Sequence, residues 1–209
     1  MSRLSPWERV LGSEIAELDP PLRRYFGAIP PGSVGRASGT FDTVGTPRRW
    51  LWPVLALLAM DGVMFPVWER SVVFSVENRS TEHGSIVARR TFHFDSGDRV
   101  MVDEIGVTRN GLVDRLGRLG VVTARLTAEV EDGRLELRST LAALRLGPVR
   151  LSLGPLSPRV TLVERAMGGL QHVSLILDAP WLGRLYEYRG SFTYEIEPDE
   201  IRPDGTEHG

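Results

Sequence analysis

The chain has no cysteine, and all 25 of its basic residues are arginine, with no lysine anywhere in the 209 positions. Without cysteine there is no thiol nucleophile, no disulfide, no iron-sulfur ligation and no cysteine zinc site. Without lysine, a Schiff base, a P-loop lysine and a Ser-Lys dyad are also excluded. Any chemistry must run on carboxylates, His, Tyr, Ser, Thr or Arg. Histidine is scarce too: His83, His93, His172 and His208 show no metal-ligand spacing, and the HExxH, GxSxG and EF-hand patterns are absent. His93 is the most plausible acid-base residue of the four, although its position beside Phe92 points it to the wet side. No metal and no cofactor is expected.

Nor is there an excess of charge. A net charge of -2 gives no clustered basic field, so no nucleic-acid partner is expected. The first residues, Met1 to Arg9, lack the continuous apolar core of a secretory signal, from which a cytoplasmic location is expected. The strongest apolar run, Leu51 to Met60, is too short for a bilayer, which takes about 20 apolar residues.

What is present is ordinary globular composition, 42% apolar and 25% charged, patterned mostly as strands. Ser5-Pro6-Trp7-Glu8 reads as a helix start, with Trp7, Val10, Leu11, Ile15 and Leu18 at helical spacing, ended by Pro20-Pro21. A second short helix is expected over Leu22 to Phe26, and a third over Arg48 to Asp61. Strands are expected at Val34 to Thr43, Ser71 to Glu77, Ser85 to Phe94, Val100 to Val107, Val121 to Val130, Arg134 to Leu144, Val149 to Leu153, Val160 to Met167, His172 to Leu177 and Leu185 to Ile196. Turn signals such as Asn110-Gly111, Asp132-Gly133 and Gly168-Gly169 separate them. Close turns favour antiparallel neighbours, hence a meander.

The expected architecture is α+β: a strongly curved antiparallel sheet, a half-barrel, wrapped around the Trp50 to Met60 helix as an apolar plug. The N-terminal helices of residues 4–27 pack outside it or across one end. Residues 1–199 form one domain in this reading, and 200–209 a flexible polar tail.

Polar residues where alternation predicts burial are the informative ones, because an unpaired buried charge is costly. Arg90 shares a face with Ile86, Ala88, Phe92 and Phe94; Glu164 shares one with Val160 and Leu162. Either these charges are paired internally, or Arg90 is an anion or carbonyl clamp and Glu164 a general base. Tyr186, Tyr188, Phe192, Tyr194 and Ile196 line one face of the last strand, as core or as a ligand surface. Asp103 and Asp114 are further acid candidates, but the alternation around Asp103 and Glu104 does not show which acid faces inward.

Three functions remain open. The first is binding of an apolar, lipid-like or polyketide-like molecule, held by Arg90, Phe92, Tyr186, Tyr188, Trp50 and Trp52. The second is a cofactor-independent isomerase or cyclase, with Glu164, Asp103 or Asp114 moving a proton. The third is a peripheral membrane or protein-interaction module, in which Arg48, Arg49, Trp50 and Trp52 make a weak membrane-surface contact. The pattern does not give an oligomeric state.

Leu22–Gly27, Val34–Phe41, Phe65-Pro66, Val76–Asn78, Arg90–Phe92, Val113–Gly117 and Leu182–Phe192 together carry a family likeness. On them the chain resembles the bacterial domain-of-unknown-function family 4166, sometimes found fused behind saccharopine-dehydrogenase-like Rossmann domains. The resemblance implies a stand-alone domain with no settled activity and no catalytic residues to carry over. The chain has no Rossmann portion, so it implies no nicotinamide function.

Overall fold

Strand alternation and closely spaced turns produce ten antiparallel strands that close on themselves. The computed structural model describes residues 4–146, 149–152 and 157–199; the expected tail at 200–209 lies outside them. The strands are β1 (Ser33–Gly45), β2 (Trp68–Glu69), β3 (Val72–Ser80), β4 (Ile86–Phe94), β5 (Gly97–Thr108), β6 (Gly111–Leu116), β7 (Val122–Glu131), β8 (Arg134–Leu146), β9 (Val149–Ser152), β10 (Arg159–Met167), β11 (Leu170–Ala179) and β12 (Gly183–Pro198). From β3 to β8 each strand pairs with the next, β10 to β12 do likewise, and β1 lies between β12 and β3. Leu135–Arg138 of β8 then pair with Thr161–Glu164 of β10, which completes the ring. The short β2 and β9 hang on β1 and β8.

The barrel is therefore closed, which corrects the expected half-barrel. A curved sheet of this many strands leaves two open edges of unpaired amides and carbonyls, and pairing them removes both. The β6 strand, which carries Asp114, was not anticipated: Gly111–Leu116 is too short and too polar to stand out as a strand, yet it is needed to bridge β5 and β7.

Among the described residues three short α-helices close the ends. α1 (Pro6–Leu11) begins with a capping box: Glu8 N–H donates to Ser5 Oγ at 3.1 Å, and Ser5 N–H donates to Glu8 Oε2 at 2.6 Å. The Ser5 hydroxyl also donates to the Phe26 carbonyl at 2.6 Å, tying α1 to the end of α2 (Pro20–Phe26). Between them residues 12–17 tighten into a 3-10 turn, and Pro20-Pro21 open α2 as well as ending the preceding turn. Trp7, Leu18, Leu22 and Phe26 are all buried and pack on Ile86, Leu112, Leu135 and Leu137, so this pair is the stopper of one end.

The apolar helix α3 (Trp52–Met60) does not sit inside the barrel, contrary to the expected plug. It crosses the opposite end. Of its nine residues only Leu55 is buried, while Val54, Leu57 and Met60 are exposed. Its C-terminal end is pinned by Asp61, whose Oδ1 accepts from Leu119 N–H at 2.9 Å and whose carbonyl accepts from Arg118 N–H. Gly117, at φ +93°, makes this approach possible, since a Cβ there would lie 1.9 Å from Asp61 Oδ2. Part of the interior is taken up from the other end by Trp7, Leu22 and Phe26. Among the described residues no helix is long and apolar enough to cross a membrane.

This division of labour makes a measurable contrast. Phe26→Ala, which empties the stopper, is expected to cost about 3–5 kcal/mol in urea unfolding, whereas Leu57→Ala on α3 stays within about 0.5 kcal/mol. Similar losses for the two would return α3 to the core.

Candidate functional site

Between the α1–α2 stopper and α3 the barrel encloses a cavity of about 360 Å³. Leu51, Leu55 and Leu58 roof it, and Tyr25 and Phe26 floor it. Its walls are mostly aliphatic, from side chains such as Ala124, Leu126, Leu162 and Leu175. Alternation puts them there, because every second residue of a barrel strand points inward.

A group of polar side chains interrupts these walls. Arg90 on β4 stands opposite Met101, so Asp103, two residues further on β5, is its diagonal neighbour on the same face; the two form an ion pair. Asp103 in turn stands opposite Leu116, which makes Asp114 on β6 the next diagonal step. Glu164 on β10 and Gln171 on β11 repeat the pattern, with the Gln171 amide donating to Glu164 Oε2. Tyr25 reaches up from α2 beside Asn78 and Arg90, and its ring meets Tyr194 edge-on at 4.8 Å.

Burial sets the protonation of this group. It pushes the Asp114 carboxyl up to about 7 against the pull of Arg90, and pushes Glu164 up to about 7 against the Gln171 amide and Arg90. The hydroxyls of Tyr25, Tyr186, Tyr188 and Tyr194 are raised by the same loss of water and stay neutral. For Arg90 burial works against the charge, but Tyr25, Tyr188 and Asp114 outweigh it, and the guanidinium stays protonated. Arg90 keeps 19% of its side-chain surface accessible while Asp103 keeps 3%, and both line the cavity. Two carboxyls that are half-protonated near neutral pH can each donate or accept a hydrogen bond. Among the described residues no group of three or more acidic or imidazole side chains is placed to hold a metal ion.

Arg90, Tyr186, Tyr188, Asp103, Asp114 and Glu164 all line the one cavity. Asp103 is the acid of its strand that faces inward; Glu104 points out, to Ser85 and Arg115. Arg90 and Glu164, each open to internal pairing in the sequence, take Asp103 and Gln171 as partners. Three expected ligand contacts fall outside the lining. Phe92 is buried in a ring stack with Phe94, centroids 5.7 Å apart, and Phe74. Trp50 is 57% exposed on the outer side of the roof, and Trp52 carries Arg49 over its ring at 5.6 Å. The two tryptophans are displaced because α3 covers the mouth instead of entering the barrel. His93 bonds Asp98 on the outer surface.

Tyr25, Asn78 and Gln171 were missed. Asn78 continues the buried series Val72, Phe74 and Val76 one step past the expected strand end, and Gln171 lies one residue before an expected strand start, so boundary error hid both. Tyr25 had no signal, since helical spacing does not reveal which face meets a barrel floor.

A family model described as "Domain of unknown function (DUF4166)" matches residues 18–192. No curated protein and no solved structure matches the chain.

The raised carboxyls predict a pH dependence. Asp114 and Glu164 retain protons in the fold that the unfolded chain releases from about pH 4 upward, so their contribution is complete at low pH and is lost as pH rises toward about 7. Thermal unfolding across this range should show that decline. Glu164→Gln should flatten it and recover on the order of 1–3 kcal/mol at about pH 8. A variant curve parallel to that of the wild type would contradict the assignment.

Proposed function

The chain belongs to the DUF4166 family, a membership that assigns no activity, and we propose from the cavity itself that the protein binds an apolar, lipid-like or polyketide-like small molecule inside the barrel. The carrying observation is a space of about 360 Å³ inside the barrel, walled mostly by aliphatic side chains, with one polar group of residues on its wall. Small-molecule sites occupy roughly 300–1,000 Å³ and combine these same two features. Each methylene transferred from water to such walls contributes about 0.8 kcal/mol.

The polar residues argue for the nature of the ligand's other end. The Arg90 charge is already matched by Asp103, and two further carboxyls face the same space. A free carboxylate entering there would add a negative charge to a site that holds its own acids neutral only by burial. A hydroxyl, ketone or ester fits better, taking a hydrogen bond from Arg90 or Tyr188 and giving one to Asp114 or Glu164.

A cofactor-independent isomerase or cyclase is the second reading, and the specific observation in its favour is that two carboxyls pushed up to about 7 line the same cavity. Either could take a proton from carbon and the other return it. Native mass spectrometry of protein from its own host gives the ligand; incubating that complex in heavy water then separates the readings. Carbon-bound deuterium that appears with the wild type and is lost in Glu164→Gln establishes proton transfer, and an unlabelled ligand leaves binding alone.

Binding itself is tested by filling the space. Ala124→Phe is expected to lower the affinity for the neutral probe Nile red by about tenfold or more, with cooperative unfolding retained, whereas Val73→Phe on the outer wall leaves it unchanged. Equal affinities in the two variants would place the probe elsewhere and overturn the cavity reading.

A further inference from the structure

The roof that closes the cavity presents a second, outward surface, and it is apolar. Trp50, Val54, Leu57 and Met60 form the solvent side of the α3 segment, exposed by 57, 58, 62 and 79%. At one end of α3 stands Leu119, 78% exposed, whose amide is held by Asp61 Oδ1. At the other end lies the β11–β12 turn, where the Arg48 guanidinium comes within 3.6 Å of the space beside Gly183. That turn carries Trp181, 97% exposed and held at φ +69°. A tryptophan in the left-handed region at the tip of a hairpin is costly twice over, in backbone strain and in bare aromatic surface. Stability does not explain it.

The charges around this surface indicate what covers it. Arg48, Arg49 and Arg118 have no ion-pair partner among the described residues. Of the acids at this end, Asp61 is buried against Leu119, Glu69 accepts from the Asp95 amide and Asp98 holds His93, while Asp95 and Asp178 are exposed without an ion-pair partner among the described residues. At the stopper end Glu8, Glu14, Glu17 and Asp19 stand among Arg9, Arg23 and Arg24 on the helical segments, with no tryptophan exposed beside them. Tryptophan, aliphatic side chains and free arginines in one rim are the composition of an interfacial membrane contact, with rings and chains at the acyl boundary and guanidinium groups among the phosphates.

We propose that the α3 roof and the Trp181 turn dock on an anionic lipid bilayer, so that the mouth of the barrel opens toward the membrane. Docking in this orientation sets Leu51, Leu55 and Leu58 between the acyl region and the cavity, giving an apolar ligand a path that avoids water. The path rests on the ligand-binding reading; the docking does not.

Co-sedimentation of the full chain with vesicles tests the docking. Binding is expected to phosphatidylcholine vesicles containing phosphatidylglycerol, more weakly to phosphatidylcholine alone, and to weaken with salt. Arg48→Gln with Arg49→Gln should reduce anionic-vesicle binding roughly thirtyfold, at about fivefold per arginine. Trp181→Ser and Leu57→Ser, both on exposed positions, should each reduce binding to both vesicle types while Nile red still enters the cavity. Wild-type protein that stays in the supernatant with both vesicles overturns the proposal, as does vesicle binding indifferent to all these changes. Self-association that Trp181→Ser abolishes, without vesicle binding, would also overturn it and make the surface an interface between copies. Loss of Nile red binding with vesicle binding intact would instead remove the ligand path and leave the docking in place.

Discussion

Everything in the interior follows from four residue pairs, Leu135–Arg138 against Thr161–Glu164, that close the sheet. A barrel of about eight strands can be filled by its own side chains; ten strands enclose more space than their inward residues occupy. The fold meets part of that excess with Trp7, Leu22 and Phe26, inserted from the chain's N-terminal end. The remainder is the cavity. Its existence is thus a geometric consequence of strand number and closure, and its apolar walls are a consequence of alternation.

The same closure explains why so few charges can be tolerated inside and why those present are arranged as they are. The strand twist brings diagonal neighbours together, and Arg90, Asp103 and Asp114 occupy three successive diagonal steps. The Arg90–Asp103 pair cancels one charge of each sign, and the two acids without an arginine of their own hold their protons to about 7. Removing Asp103 alone would leave a buried guanidinium uncompensated, a far larger penalty than the pair itself offsets. Arg90 is the charge common to the group, since it opposes the burial of both Asp114 and Glu164.

How much of this was legible follows from which forces are local. Alternation is local, and it placed Arg90, Glu164, Tyr186 and Tyr188 on the inner face directly from their neighbours; the turn at Asp132-Gly133 and the capping box at Ser5 were equally plain. Closure is not local. The pairing of Leu135 with Glu164 joins residues with no periodic relation, so a half-barrel and a barrel read alike in sequence. The role of α3 was illegible for a related reason: its nine residues are apolar on every side, and a helix without a polar face carries no information about which face is covered. Taking it for the plug followed from hydrophobicity alone, while the true stopper, α2, has Arg23 and Arg24 beside Leu22 and Phe26 and reads as an ordinary amphipathic turn.

The two ends of the barrel consequently differ in how firmly they are shut. The stopper end buries four large side chains, a tie from Ser5 to Phe26 and a bond from the Asp19 amide to the Gly133 carbonyl. The α3 end rests on Leu55, the half-buried Leu51 and Leu58, and the Asp61 contacts. At about 1.5–3 kcal/mol for each fully buried large apolar side chain, lifting α3 forfeits about half of what withdrawing the helical pair does. Local openings draw on the least anchored element, so the route into the cavity runs past α3. That route passes, in order, an exposed apolar rim, a thin aliphatic roof and the walls beneath it, a gradient of burial built from one helix that has no polar side.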